Sequence, residues 1–245
     1  MTEDAIGRMG KSHGDAGGGR HGVQVGVRDG DGLRPSVRAF VELCAGALPL
    51  AGPVVEFGSY QVPGQEGLSD LRPLFGGMDY LGADIRRGPG VDVVMDLHLT
   101  GLRAGSVGTV LIVDTLEHVE DPRRALEEVH RVLSPRGTVV LTTVMNFPVH
   151  EHPCDYWRFT VQGVSSLLRP FPGTAVDSLG DPGFPHTVVG VGLMRPMPSD
   201  VEASLAEARR GWKEEWDGGG GGAGGSTMDR LVPPLLHELH GRIRR

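Results

Sequence analysis

The fold is decided by Thr109-Val110-Leu111-Ile112-Val113-Asp114-Thr115-Leu116-Glu117-His118-Val119-Glu120-Asp121-Pro122. Behind Thr109, Val110 to Val113 form an uninterrupted apolar run, the pattern of a strand buried on both faces. The polar block Asp114 to His118 stops it. Asp121 then offers an N-cap and Pro122 a first-turn residue. Ala125, Leu126, Val129, Val132 and Leu133 follow on one helical face. Ser134-Pro135-Arg136-Gly137 ends that helix, and Thr138 to Val144 reads as the next strand. Strand, polar rim, amphipathic helix and strand together make the repeating unit of a parallel sheet.

The same alternation extends in both directions. Toward the N-terminus, Pro53 to Phe57, Tyr80 to Asp84 and Val91 to Met95 read as three further strands. Pro35 to Leu48 reads as a helix, with Val37, Phe40, Val41 and Cys44 at helical spacing. Leu68 to Phe75 reads as a short helix limited by Pro73. Toward the C-terminus the order changes. Val161 to Phe171 has a helical pattern, and Thr174 to Ser178 and His186 to Leu193 read as two strands around the turn Asp181-Pro182-Gly183. That pair suits an antiparallel addition to the sheet edge. Asp200 to Trp216 is a last long helical pattern. The expected class is α/β: an open, mostly parallel seven-stranded sheet, helices on both faces, and an antiparallel C-terminal strand pair.

Composition sets the limits. The chain has 245 residues, including 39 Gly and 18 Pro. Much of this glycine lies at the ends. Residues 1–33 read as a Gly-rich tail, 34–195 as the folded domain and 196–217 as a C-terminal helix. Residues 218–227 hold the run GGGGGAGG and read as a linker; 228–245 read as a short helix or tail. No apolar run is long enough for a membrane span, and the N-terminus lacks the pattern of a secretory signal. Cys44 and Cys154 are too few for a disulfide framework or a four-cysteine zinc site. A cytoplasmic location is expected. The net charge of −7 disfavours general nucleic-acid binding, so a small-molecule partner is expected, with neither nucleic acid nor membrane.

In an open parallel sheet, ligands bind beyond the carboxyl ends of the strands. The first strand ends in Glu56-Phe57-Gly58-Ser59-Tyr60 and the second in Asp84-Ile85. The third ends in Asp96-Leu97 and the fourth in Asp114 to His118. Any one such acid also serves as a turn or cap residue. Four in phase suit a ligand with a cationic head and vicinal hydroxyls. Tyr60 breaks the G-x-G-x-x-G pattern of dinucleotide sites, and no G-x-x-x-x-G-K-[ST] occurs. A nicotinamide oxidoreductase and a P-loop NTPase are both disfavoured.

These motifs resemble those of class I S-adenosylmethionine-dependent methyltransferases, specifically the small-molecule, type 11-like branch. The resemblance rests on Val55-Glu56-Phe57-Gly58-Ser59, Gly82-Ala83-Asp84-Ile85, Asp114 to Pro122, and Arg131-Val132-Leu133-Ser134-Pro135-Arg136-Gly137. It extends through Pro153-Cys154-Asp155-Tyr156-Trp157-Arg158-Phe159-Thr160 and covers about residues 55–195. It implies a Rossmann-like fold and S-adenosyl-L-methionine as cofactor. Glu56 would lie near the methionine part with Gly58 beneath it, and Ser59 and Tyr60 in the same loop. Asp84 would hold the ribose hydroxyls and Ile85 would flank the adenine. Asp96 would approach the adenine amine with Leu97 against the ring. Asp114 and Thr115 would line the cofactor. Tyr60 occupies the second glycine of the usual first motif, and a longer loop to Gly64 would accommodate it.

Methyl transfer needs alignment of the acceptor and, for a hydroxyl, a proton acceptor. Val149-His150-Glu151-His152-Pro153-Cys154-Asp155-Tyr156-Trp157-Arg158 follows the fifth strand. His150 is the expected base, oriented by Asp155. Tyr156 and Trp157 would wall the acceptor pocket, Arg158 would pair with a carboxylate or phosphate, and His118 and His152 would face the acceptor. The other use of Trp157 and Arg158 is to pin the loop to the sheet. His150, His152, Cys154 and Asp155 are all metal-ligand types, but with no second matching cluster in the sequence no metal is expected. The expected activity is methyl transfer to a hydroxyl of a sugar or natural-product scaffold. The alternative is a catalytically degenerate cofactor-binding or protein-interaction module.

Overall fold

The computed structural model describes residues 33–62, 66–150 and 153–217, apart from the side chains of Glu66 and Leu68. The expected tails, linker and terminal helix at 1–32 and 218–245, and the candidate His152, lie outside the described residues.

Seven strands form one sheet: β1 (Val54–Phe57), β2 (Tyr80–Asp84), β3 (Val93–Val94), β4 (Val107–Val113), β5 (Leu133–Val144), β6 (Gly173–Asp181) and β7 (Phe184–Leu193). Their order is β3-β2-β1-β4-β5-β7-β6. β1 to β5 pair in parallel. β7 runs antiparallel to β5 and to β6. The Rossmann-like, mostly parallel fold with an antiparallel C-terminal pair is therefore observed.

Side-chain alternation sorts the two cores. Val110 and Ile112 of β4 face one side with Val139 and Leu141 of β5. There they meet Ala125, Leu126 and Val129 of α3 (Pro122–Val132) and Val164 of α4 (Val161–Leu167). Leu111 and Val113 face the other side, against Val37, Phe40 and Val41 of α1 (Pro35–Ala47) and Leu205 and Trp212 of α5 (Ser199–Asp217). α1 and α5 are joined by a tilted ring contact between Phe40 and Trp212 at 5.3 Å, and Trp212 Nε1 donates to Ser36 O at 2.8 Å.

Boundaries differ from expectation at several ends, four of them in how elements join or stop. The helix expected over Leu68–Phe75 splits into α2 (Glu66–Ser69) and a 3-10 turn over Arg72–Phe75. β3 keeps only two paired residues, because its neighbour β2 ends at Asp84. α3 runs directly into β5: Leu133 pairs with Val107, and the Ser134–Gly137 block forms an irregularity within the strand. α4 stops at Leu167, four residues short of Phe171, which packs in the core. Among the described residues no helix is long and apolar enough to cross a membrane.

Candidate active site

Strand order reverses between β1 and β4, the switch point at which open α/β sheets bind ligands. A cleft of about 300 Å³ opens there, within the range of small-molecule sites. All ten cofactor candidates line it: Glu56, Gly58, Ser59, Tyr60, Asp84, Ile85, Asp96, Leu97, Asp114 and Thr115. So do His118, His150 and Tyr156.

Gly58 has φ +85, and a Cβ built there would lie 2.0 Å from Thr115 Oγ1. Only glycine keeps that turn open and lets β1 approach β4 so closely. Next to it, Ser59 Oγ is buried with no hydrogen-bond partner. Glu56 is buried on β1, and its Oε2 accepts the Tyr80 hydroxyl at 2.7 Å. Burial pushes the Glu56 carboxyl up to about 7, against the opposing effect of the Tyr80 hydrogen bond. A carboxyl this desolvated gains from a cation placed beside it.

Asp84 Oδ1 accepts from the Arg86 backbone at 2.8 Å and Nε at 3.1 Å, and the Tyr60 backbone N reaches Oδ2 at 3.4 Å. The Arg86 guanidinium lies 4.3 Å from the centre of the Tyr60 ring. That ring covers Gly88, where a Cβ would meet it at 2.2 Å. Tyr60 is therefore packed against the Arg86–Gly88 loop while lining the cleft. Ile85, an apolar side chain 53% exposed, stands on the rim. Asp96 Oδ1 accepts from the His98 backbone at 2.8 Å and from its Nδ1 at 2.7 Å. His98 Nε2 in turn accepts the Asp121 N–H at 3.1 Å, which ties the end of β3 to the start of α3.

Asp114 sits at the tip of β4 with φ 43, a strained conformation for a residue with a Cβ. Thr142 donates to its Oδ1 at 2.7 Å, and Arg34 donates to Oδ2 through Nη2 at 2.9 Å. Arg34 comes from just ahead of α1, lines the cleft and also bonds Thr187. The Glu117 side chain is fully buried yet lines the cleft. Its Oε2 accepts Thr143 Oγ1 at 2.8 Å, and its Oε1 has no partner. Burial first, and the nearby Asp114 second, push its carboxyl well above the usual carboxylate range.

The segment after β5 is folded back over β4. Tyr156 N and Trp157 N both donate to Glu117 O, at 2.8 and 3.2 Å, and Phe159 N to Val144 O at 2.9 Å. This brings His150 and Asp155 together as expected: His150 N donates to Asp155 Oδ2 at 2.8 Å, and Nδ1 lies 3.2 Å from the same oxygen. Arg158 donates to Asp155 Oδ2 at 2.7 Å. That bond holds the Asp155 carboxyl down at about 2, so it stays ionised. His118 and His150 meet edge to face at 4.7 Å.

Trp157 and Arg158 are not brought to the cleft. Trp157 Nε1 donates to Val119 O at 3.0 Å, and Arg158 reaches Pro148 O at 2.9 Å and Phe147 O at 3.1 Å as well as Asp155. Their groups are spent pinning the loop, so neither the aromatic wall nor the anion pairing expected of them is seen. Among the cleft-lining residues outside the candidates are three charged ones that hold or face the strand ends: Arg34, Arg86 and Glu117. Glu117 had a signal, its place inside the polar block after β4. No metal was expected, yet the structure gathers Glu117, His118 and His150, with one ligand-type atom of each within 4.8 Å of the others.

Residues 79–141, which span β2 to α3 and most of β5, match the family model of a methyltransferase domain. No curated protein matches the chain. Among solved structures, the 1,6-didemethyltoxoflavin-N1-methyltransferase of Burkholderia thailandensis, with bound 1,6-didemethyltoxoflavin and S-adenosylhomocysteine, is 17% identical, covers 66% of this chain and 79% of its own, and has a TM-score of 0.50. S-adenosylmethionine-dependent methyltransferases of Archaeoglobus fulgidus and Thermotoga maritima align over 64% and 65% of this chain and 94% and 92% of theirs. Their identities are 13% and 22%, and their TM-scores 0.49 and 0.47. The chain thus has the fold seen in S-adenosylmethionine-dependent methyltransferases, and residues 79–141 carry the match to a methyltransferase domain.

Proposed function

We propose that the chain is an S-adenosylmethionine-dependent methyltransferase acting on a hydroxyl of a small molecule, of the sugar or natural-product kind. The observation that carries this reading is the cradle at the ends of β1 to β4. A buried acid, a glycine turn closed against Thr115 and an orphaned Ser59 hydroxyl stand at one end. A strand-end acid, an exposed Ile85 and the Asp96–Leu97 pair stand at the other. That donor set fits a ligand with an ammonium and sulfonium head, a ribose and an adenine.

Glu56 would face the cationic head and Ser59 supply a hydrogen bond to it. Asp84 would hold the ribose hydroxyls through lone pairs not committed to Arg86, each carboxylate oxygen having two. Ile85 and Leu97 would sandwich the base, with Asp96 at its amine. When bound, S-adenosylmethionine supplies an electrophilic methyl: the acceptor oxygen takes the carbon as the electrons of the carbon–sulfur bond return to sulfur. Tyr156 and His118 flank the acceptor side of the cleft. The acceptor's proton leaves through the histidine cluster, where His150, oriented by Asp155, stands ready to take it.

Calorimetric titration of the purified protein with S-adenosylmethionine tests the reading, with NADH as control. Saturable binding, lost in Asp84→Ala, is expected. Absence of binding by a folded protein would overturn it in favour of a catalytically degenerate module. His150→Ala should retain cofactor binding and lose turnover on hydroxylated acceptors by about 100-fold or more.

A further inference from the structure

Glu117 Oε1 is a buried carboxylate oxygen to which nothing donates. An unsatisfied buried polar atom is costly, the more so when charged, and the Glu117 residue lines the cleft. Its neighbours are the two histidines whose ligand-type atoms fall within 4.8 Å of one another and of the carboxylate. Three donors on one zinc-sized ion would lie roughly 3–3.5 Å apart at metal–ligand distances of about 2.0–2.2 Å, so small side-chain rotations close the set.

The surroundings of the histidines point the same way. His118 Nδ1 lies against the Cys154 carbonyl. His150 Nδ1 lies between Pro148 O at 3.1 Å and Asp155 Oδ2 at 3.2 Å. Carbonyls and ionised carboxylates only accept, so in each ring Nδ1 is the donor. An imidazole whose second nitrogen donates to a carbonyl or carboxylate has the outer-shell arrangement of metal-ligating histidine. Asp155 is itself fixed by Arg158, so it serves as an orienting group.

We propose that Glu117, His118 and His150 bind a divalent transition-metal ion of the zinc, manganese or cobalt kind, with its remaining positions open to the cleft. Two imidazoles and one carboxylate suit such ions better than magnesium or calcium, and three protein ligands are the pattern of catalytic sites. The consequence for substrate rests on the methyltransferase reading. A hydroxyl bound to the ion is acidified, and a vicinal diol fills two open positions at once. The acceptor class narrows to chelating diols. Their proton then passes to solvent while His150 holds the ion; the role of His150 as base belongs to the metal-free site.

The test uses the full chain without an affinity tag, freed of metal with a chelator and titrated with Co²⁺ and with Zn²⁺. Calorimetry reads the affinity, and the visible absorption of Co²⁺ reads nitrogen ligation. One equivalent is expected, weakened at least about 100-fold by His118→Ala, by His150→Ala and by Glu117→Gln, beyond the 10–100-fold typical of outer-shell changes. The two histidines are partly exposed, so their variants keep the test valid if Glu117→Gln fails to fold. No binding by the wild type, or binding that all three variants keep, overturns the site. S-adenosylmethionine is titrated into the same preparation. Cofactor binding without metal binding removes the site and leaves the enzyme reading. Metal binding without cofactor binding does the reverse.

Discussion

At the scale of single residues, the cradle depends on Gly58 and Glu56. Gly58→Ala must hold a Cβ at φ +85, 2.0 Å from Thr115 Oγ1 and 2.8 Å from its Cγ2. The left-handed conformation alone costs roughly 1–2 kcal/mol, and Thr115 cannot retreat without losing its place over Phe57 O and Val113 O. Urea denaturation should show a loss of at least about 1–2 kcal/mol, and cofactor affinity should fall more than tenfold. An unchanged affinity would remove Gly58 from the site. Glu56 makes binding depend on pH. Burial lifts its carboxyl to about 7, so below that pH the free protein carries a proton there. A cationic cofactor favours the ionised form and expels the proton. Affinity should therefore rise with pH up to about 7, by as much as about tenfold per unit, and level off above. Glu56→Gln should flatten the profile. A flat wild-type profile, measured by calorimetry in several buffers, would show that Glu56 does not face the cation.

At the scale of elements, what was legible is what strand and helix periodicity encode. Asp84, Asp96 and Asp114 follow apolar runs, so their place on one rim could be read directly. Asp121 as N-cap could be read too, and it accepts the Arg124 N–H at 3.1 Å. Asp121→Ala should cost about 1 kcal/mol, seen as a lower melting temperature. Cofactor affinity should change little, because the backbone N–H of residue 121 still ties the loop to His98. A loss of affinity matching Asp84→Ala would mean that the α3 start shapes the cleft directly. What was not legible comes from pairings distant in sequence. Arg34 meets Asp114 across 80 residues, and no local pattern marks which arginine ahead of a helix will reach a strand end. Glu117 turns inward because Leu116–His118 closes a 3-10 turn and Thr143 of β5 waits behind it. Trp157 and Arg158 looked like acceptor contacts because aromatic and cationic residues suit both pockets and loop anchors. The carbonyls of Val119, Glu120, Phe147 and Pro148 claimed them, and backbone partners leave no trace in sequence.

At the scale of the whole molecule, the buried acids set how stability varies with pH, and their signs differ. Asp155 and Glu128 are held down to about 2 by Arg158 and Arg131. What they contribute is complete above the ordinary carboxylate range and is lost as pH falls from there toward 2. Glu56 and Glu117 run the other way. Burial raises both, so the fold binds protons that the unfolded chain releases near 4.5. Their contribution is full below that value and is lost as pH rises, through about 7 for Glu56. His186, held down mainly by burial and then by Arg34, opposes them in part: folding favours its neutral form, which helps as pH rises through the histidine range. Asp155 and Glu128 fall silent above pH 4.5, so the raised acids and His186 dominate from there to neutrality. From Glu56 alone, a rise from 4.5 to about 7 corresponds to about 3 kcal/mol. The cofactor-free protein should accordingly lose stability in urea between pH 5 and pH 8, and Glu56→Gln should remove most of that slope. A cation bound in the cleft reverses the balance, because it stabilises the ionised acids that destabilise the empty protein. Saturating S-adenosylmethionine should therefore raise the melting temperature more at pH 8 than at pH 6. An equal shift at both values would separate the buried acids from the cofactor site and leave their raised proton affinity a property of the fold alone.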